Sequence, residues 1–367
     1  MSRPSGAATA TAPATAAGTA TAPATAAGTA AAPATPTEPA GPELVHRFRA
    51  MATNVTMRVV APGPGADAGL ARAEQVFHRV EASCTRFNPD SPLMRANADP
   101  RVWHTVPTEC FQAVAEAARA HAQTRGLFDP RVLKLLQSWG YDHTLPFHDG
   151  AVSVPGRPMD GPRHRARGTR PAFAPLVRAT WRPGLDEARS AIRIGPHPVD
   201  LGGIGKGLAV RWALEQLIGH GSAALVEAGG DIGVSGAGPE GQGWKVGVED
   251  PRGGQAPVAV LRAVDQAVAT SSVRVRQWKV GDTPVHHLID PRTGAPGAGG
   301  LLAVTVLGPD PAWAEVWSKA LFLTGRGGLR QLAEEHDLAA LWVDTDGVVG
   351  MSPLLRPAVL WEAPHAW

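Results

Sequence analysis

The sequence predicts an α+β protein of mostly antiparallel sheets with packed helices, folded as a single domain over residues 44–367. Three observations predict this. Helical and strand-like segments are interspersed without the regular β-α-β alternation of a doubly wound fold. Hairpin signals recur, with turn residues between short apolar runs. After Leu44 no further break in composition marks a linker, and 44% hydrophobic residues are enough to build a sizeable core.

Residues 1–43 read differently. Ala, Thr, Pro and Gly dominate, and TAPATAAGTA occurs at 11–20 and again at 21–30. With no large apolar side chains to bury, this segment is expected to be a disordered tail. It lacks an apolar core region and a cysteine, so a secretory or lipidation signal is not expected. No run of about 18 apolar residues occurs, so no transmembrane helix is expected and the reading is cytoplasmic. The formal net charge of +2 gives no electrostatic case for binding nucleic acid. Cys84 and Cys110, distant in sequence, are expected to be reduced, buried thiols.

The elements follow in order. Val45–Val60 alternates and predicts one or two strands around Met51-Ala52-Thr53, and Pro62–Gly65 is a turn. Ala68–Ser83 has helical spacing, with Leu70, Val76, Phe77 and Val80 on one side. Thr85–Pro92 is a polar loop in which Phe87 is the one large apolar group. Phe87 is either a stacking surface or a plug for the core. Glu109–Thr124 is an alanine-rich helix ended by Gly126, and Val132–Trp139 is short and apolar. Between Tyr141 and Pro198 the pattern is poor. Arg157, Arg163, Arg165, Arg167 and Arg170 read there as a solvated loop, with a partner-docking patch as the alternative.

A helix is predicted over Leu208–Ile218 and a strand over Ala223–Glu227, followed by a tight turn at Gly229-Gly230-Asp231. Strands are predicted at Trp244–Val248 and Val258–Val264. Ala267–Ser272 is expected to lead into a hairpin that turns near Gly281-Asp282 and returns through His286–Ile289. Asp290–Gly294 is a turn. Leu302–Leu307 is a strand, Ala312–Thr324 and Gly328–Glu335 are helices, and Ala339–Asp344 is expected to be the final strand.

Three places could hold chemistry. Val199–Gly207 approaches as an apolar strand, reaches Asp200, and then offers four glycines and Lys206 before a helix. Glycine permits positive φ and close approach, and a helix N-terminus suits an anion, so the stretch reads as a phosphate or pyrophosphate cradle. The P-loop spacing is absent, and a plain strand-to-helix turn with an exposed lysine is the competing reading. In His286-His287, followed by Asp290, strand neighbours point to opposite faces, so one histidine would be core and one exposed. On the 312–324 helix, Glu315, Ser318 and Lys319 share a face at i, i+3 and i+4. The plain alternative for Glu315 and Lys319 is a surface ion pair of about 0.3–0.5 kcal/mol.

Taken together, these segments resemble the ApbE family of FAD:protein FMN transferases. The resemblance rests on MATNVT, RFNPDSPLMRAN, GLFDPRV with LQSWGYD, VDLGGIGKGLAV, ALVEAGGDI, WKVGVEDPR, AVATSS, HHLIDPRTGAP and the 312–324 helix, in that order. It implies FAD as a substrate. A threonine or serine hydroxyl of an acceptor flavoprotein attacks the FMN phosphorus, AMP leaves, and Mg2+ bridges the pyrophosphate. It also implies residue roles. Met51 and Phe87 would contact the ring systems, while Leu127, Phe128 and Asp129 would form a rim. Asp200 and Lys206 would contact FAD, and the carbonyl of Gly203 would face the metal. Leu288 would line the pocket. His287, or failing it His286, would take the proton.

One departure stands out. Where the family's metal helix usually offers aspartate and then threonine four residues later, this chain has Glu315 and Lys319, with Ser318 beside them. A protonated lysine does not ligate Mg2+. Either the ion has fewer protein ligands, or the ammonium takes over part of its charge. Two further readings share the FAD site: a non-catalytic FAD-binding protein, and an Mg-dependent FAD pyrophosphatase.

Overall fold

The computed structural model describes residues 41–145, 147, 152–154 and 180–364. The Ala/Thr/Pro-rich residues 1–40 and the arginine cluster at 157–170 lie outside the described residues. The described residues form one compact unit.

Among the described residues, eight strands form the main sheet. They are β1 (Glu43–Ala50), β2 (Thr53–Val60), β3 (Ala223–Ala228), β4 (Asp231–Ser235), β5 (Ala267–Ser272), β6 (Leu301–Gly308), β7 (Ala339–Asp344) and β8 (Val349–Met351). They lie side by side in chain order, and every neighbouring pair is antiparallel. Such a meander needs only local hairpins and returning connections, which is why hairpin signals dominate the sequence.

The sheet is buried on both faces, and the period of two along each strand shows it. On β2, Val55, Met57 and Val59 enter one core, whereas Val60 enters another. On β3, Ala224, Val226 and Ala228 face the first core and Ala223 and Leu225 the second. On β6, Val304 and Val306 face one side and Leu307 the other. Consecutive side chains on a strand must point to opposite faces, so a strand covered on both sides is apolar throughout. The first face carries helices α1 (Ala66–Cys84), α5 (Gly205–Glu215) and α6 (Pro311–Thr324). The second is capped by a smaller sheet of Trp244–Val248, Ala259–Ala263 and Val359–Glu362. Helices α2 (Pro92–Ala98), α3 (Thr108–Gln123), α4 (Leu133–Ser138) and α7 (Leu329–Glu335) are the other α-helices of the described residues. None of these helices is long and apolar enough to cross a membrane.

This architecture bears out some of the sequence expectations and corrects others. Val45–Val60 is two strands, joined by a two-residue turn in which Met51 (φ 53°) and Ala52 (φ 56°) are both left-handed without being glycine. Part of the proline-punctuated loop is helix: Ser91 caps α2 by accepting the Met94 N–H at 3.1 Å, and Pro92 takes the first helical position. Ala267–Ser272 does not enter the hairpin that follows; it is a central strand. The hairpin is Gln277–Val280 with Thr283–His286, turning at Gly281-Asp282 as expected. Ala339–Asp344 is not the last strand, since β8 and Val359–Glu362 come after it. Cys84 and Cys110 are free and buried, and α1 and α3 bring them together: a thiol hydrogen bond to Cys84, with burial, raises the pKa of Cys110.

Helix α6 is the most buried helix of the fold. Ala312, Ala314, Val316, Trp317, Ala320, Leu321, Phe322 and Leu323 are all in the core, as are Glu315 and Ser318. Burying a Leu or Phe side chain contributes roughly 1.5–3 kcal/mol, so this helix is a main source of stability as well as a wall of the site. It packs on α5 at a glycine. A Cβ on Gly207 would meet the Ala312 Cα at 2.6 Å and the Pro311 carbonyl oxygen at 2.6 Å, both backbone atoms that cannot swing away. Gly207→Ala should therefore force α5 and α6 apart and destabilise the protein by about 1–3 kcal/mol. Chemical denaturation of the two proteins measures it, and an unchanged midpoint would refute this account of the contact.

Candidate functional site

The glycine-rich stretch leads into α5, which packs on α6, β3 and β4. Its four glycines do not serve the purpose that their number implies. None of Gly202, Gly203, Gly205 and Gly207 has positive φ. They are there for close approach. A Cβ on Gly202 would touch the Asp200 carboxylate at 3.2 Å, one on Gly203 would collide with the Lys319 ammonium, and Gly207 makes the helix contact described above. Helix α5 begins at Gly205, three residues earlier than the apolar pattern predicts, so Lys206 sits in its first turn. The first-turn N–H of Gly207 is already taken: it donates to Glu315 Oε2 at 2.9 Å. The anion at this helix terminus is thus a carboxylate of the protein itself.

Lys206 is held between two carboxylates. Its Nζ donates to Glu315 Oε1 at 2.8 Å and to Asp231. All three groups are almost fully enclosed. Burial alone would lower the Lys206 pKa, but the Asp231 and Glu315 charges outweigh it and hold the lysine protonated. Burial pushes Asp231 up to about 7, and the neighbouring Glu315 carboxylate adds to this, with Lys206 opposing. Burial also raises Glu315, but the charges of Lys206 and Lys319 prevail and keep it ionised. The plain alternative, a surface pair of Glu315 with Lys319, does not form, because the helix is buried and Glu315 turns to Lys206. Asp231 was visible in the sequence only as the end of a turn. Gly229 (φ 60°) and Gly230 (φ 92°) make that turn, and it aims the carboxylate of the next residue back at α5.

A cavity opens beside this cluster. Its apolar side includes Met51, Phe87, Leu127, Phe128, Leu136 and Tyr141. Its polar side includes Arg86, Asp129, Asp200, Gly203, Lys206, Arg276, His287 and Lys319. The left-handed turn at Met51 is fixed by a hydrogen bond from its N–H to Glu81 Oε1 at 2.8 Å, which presents the thioether to the cavity. Phe87 is half-buried and lies 5.7 Å from the Tyr141 ring, so it both packs and faces the space. Arg86, which sequence reasoning missed, packs against both rings: its guanidinium is 4.2 Å from the Phe87 ring centre and 4.1 Å from that of Tyr141. Its Nη1 donates to the Tyr141 carbonyl, Asp200 lies 3.7 Å away, and its buried Nη2 has no hydrogen-bond partner.

Other residues are placed less as the resemblance implies. Asp129 borders the cavity, but its carboxylate accepts from Arg131 Nε at 2.9 Å and Nη2 at 2.7 Å, with His121 3.6 Å away. Burial would raise its pKa; His121 and Arg131 together hold it low. Leu288 is not at the wall. It is 1% exposed and sits in the core against α6, leaving His287 and Ile289 to line the cavity.

The two histidines differ. The strand stops at His286, and the chain bends there. His286 is locked on both nitrogens: Nε2 donates to the Gly297 carbonyl at 3.0 Å, and Nδ1 accepts the Leu288 N–H at 3.3 Å. His287 faces the cavity. Its Nδ1 lies 3.3 Å from the Arg276 carbonyl, which can only accept, so Nδ1 carries the proton and Nε2 is left as an acceptor. Burial pushes the His287 pKa well below the ordinary histidine value, and the charges of Arg276 and Lys319 push it further. This imidazole is neutral at physiological pH.

The residues do not form a magnesium site. Both Glu315 oxygens are committed to Lys206 and Gly207. Ser318 is fully buried; its hydroxyl donates to the Glu315 carbonyl at 3.0 Å and pairs with Ser271 Oγ at 2.8 Å. Lys319 brings a cation against Gly203 itself. Among the described residues no three His, Cys, Asp or Glu side chains converge as a metal site requires.

Comparison with known proteins agrees with the segment order. The chain is 28% identical over 283 residues to the FAD:protein FMN transferase of Haemophilus influenzae, covering 74% of this chain and 78% of that one. It is 27% identical over 344 residues to the Klebsiella pneumoniae protein of the same name, covering 89% and 92%. Its fold matches the crystal structure of the ApbE protein of Thermotoga maritima with a TM-score of 0.70, at 24% identity and over 88% of this chain and all of that one. The model of the ApbE family matches residues 51–342. This protein belongs to the ApbE family.

Proposed function

We propose that this protein is an FAD:protein FMN transferase, which moves FMN from FAD onto a threonine or serine hydroxyl of an acceptor flavoprotein and releases AMP. The observation that carries this reading is the pairing of a neutral imidazole, His287, with the cations Lys206, Arg276 and Lys319 around one aromatic-walled cavity. Flat ring systems fit against Met51, Phe87 and Tyr141, and a diphosphate fits against the cations.

The chemistry follows from that arrangement. The acceptor hydroxyl oxygen forms a bond to the FMN phosphorus, and the bond from that phosphorus to the bridging oxygen breaks. AMP leaves with the bridging oxygen, and FMN ends in phosphoester linkage. His287 Nε2 takes the hydroxyl proton; the Arg276 carbonyl holds the ring in the tautomer that allows it. The ammonium and guanidinium groups offset the charge that builds on the phosphoryl oxygens. Arg86, held against the Phe87 and Tyr141 rings at the cavity lining, adds a further positive charge near the ligand. Mg2+ is left out of this reading because the residues do not form a site for it.

The test is incubation of the protein with FAD, with and without an acceptor, followed by separation of AMP. AMP that appears only with acceptor, together with covalent flavin on the acceptor, supports the transferase. AMP without acceptor indicates a pyrophosphatase, and FAD binding without AMP a non-catalytic flavin protein.

Two predictions follow from the histidines. His287→Ala should lower turnover about 10²–10⁴-fold while FAD affinity changes little, as expected for a lost general base. His286→Ala should act mainly on stability, since it removes a ring bonded on both sides. Equal losses of turnover in the two variants would remove His287 as the base. The second prediction concerns pH. A lowered pKa means that His287 stays neutral as pH falls through the ordinary histidine value of about 6.5, so the transfer rate should hold through that range and drop only below it. A single-turnover rate that falls with a midpoint near 7 would contradict the assignment.

A further inference from the structure

We propose that Lys319 makes this a metal-free diphosphate site: its ammonium fills the place of a divalent cation, so that FAD binds without magnesium. The inference rests on reading the cavity as an FAD site, and it goes beyond that reading by naming the counter-charge.

Lys319 differs from Lys206, the other cavity lysine, in its partners. Lys206 is neutralised by Glu315 and Asp231. Among the described residues Lys319 has no carboxylate within ion-pair distance; its ammonium lies against Gly203 and 5.9 Å from the Phe128 ring centre. Burial lowers the Lys319 pKa, and an incoming anion supplies the counter-charge that favours the protonated form, so this enclosed amine beside an aromatic ring, with no ion-pair partner, is a binding group for an anion.

Sterics lead to the same conclusion. Gly203 has ordinary φ, and the Lys319 ammonium occupies the space where a Cβ at that position would stand. A glycine here leaves room for the lysine head as much as for a ligand. A divalent cation approaching Gly203 would meet the Lys319 ammonium, which among the described residues has no carboxylate at ion-pair distance to offset its repulsion. The side chains that could offer it oxygen are spent on each other: Glu315 on Lys206 and Gly207, Ser318 on Ser271 and the helix backbone. A diphosphate approaching the same point meets Lys319 and, across the cavity wall, Arg276 and Arg86. Positive charge is supplied by side chains fixed in the fold, which gives the electrostatic stabilisation of a bound ion without its coordination requirements.

The experiment is FAD binding to the full chain, followed by flavin fluorescence, in EDTA and in millimolar Mg2+. The two dissociation constants should agree within about twofold. Lys319→Met keeps the bulk of the side chain and removes the charge. Once thermal denaturation shows that it is folded, its FAD affinity in EDTA should be lower by about tenfold or more, the loss of a charge-assisted contact. In Lys319→Thr, which supplies a hydroxyl in place of the cation, FAD binding should become stronger on adding Mg2+. Wild-type binding that collapses in EDTA and returns with Mg2+ overturns the proposal and leaves the FAD reading intact. So does a Lys319→Met protein that binds FAD in EDTA as tightly as the wild type. Failure to bind FAD in either buffer overturns both readings. The wild-type measurement alone decides the matter if a variant does not fold.

Discussion

One ammonium between two carboxylates ties this structure together. Lys206 comes from the first turn of α5, Glu315 from the middle of α6, and Asp231 from the first residue of β4. The three elements belong to distant parts of the chain and meet at one buried point beside the cavity. Removing one member of such a cluster leaves an uncompensated buried charge, at a cost of about 3–5 kcal/mol. The relation of the two helices to the sheet is thus set by an electrostatic condition as well as by packing. The third hydrogen bond, from the Gly207 N–H to Glu315, exists only because the absence of a Cβ lets α5 and α6 approach backbone to backbone. Glycine, helix contact and ion cluster form a single arrangement.

That arrangement sorts the charges near the cavity into two kinds. Asp231, Glu315 and Lys206 satisfy one another, and Asp129 is satisfied by Arg131 and His121. Lys319 and the Nη2 of Arg86 are left without such partners. Charge that is satisfied within the fold stabilises it and is unavailable to a ligand, whereas charge held in place but unsatisfied adds little to the fold and much to recognition. The same division separates the histidines. His286 uses both nitrogens to fix the bend after its strand, and His287 uses one and keeps the other for the cavity.

The fold was legible in the sequence because its signals are local. The alternating strands, the turn at Gly281-Asp282 and the alanine-rich α3 each depend on residues a few positions apart. The left-handed turn at Met51-Ala52 escaped notice because neither residue is a glycine, and the tertiary hydrogen bond to Glu81 that fixes it comes from thirty residues away. The site was legible in part. Met51, Phe87, Phe128, Asp200, Gly203, Lys206, His287 and Lys319 do come together around one cavity. Asp231 and Arg276 carried no local signal, since each acts across the fold. Leu288, placed at the pocket by the resemblance, instead lies in the core, because the chain leaves the strand after His286 and His287 and Ile289 take the lining.

The four glycines show the limit of motif reading most clearly. A run of glycines before a helix invites the phosphate-cradle interpretation, in which positive φ and free amides do the binding. Here the φ values are ordinary, and the amide of Gly207 is satisfied by Glu315. What the glycines supply is space: for the Asp200 carboxylate, for the backbone of α6 and for the head of Lys319. The positive charge that an anion would meet therefore comes from side chains and not from the helix terminus. That shifts recognition from a loop that any phosphate could enter to a set of rigid cations. Arg86, Arg276 and Lys319 line one cavity together with aromatic rings, two of these cations lying directly against a ring. A ligand suited to that lining carries a flat ring system and more than one anionic group.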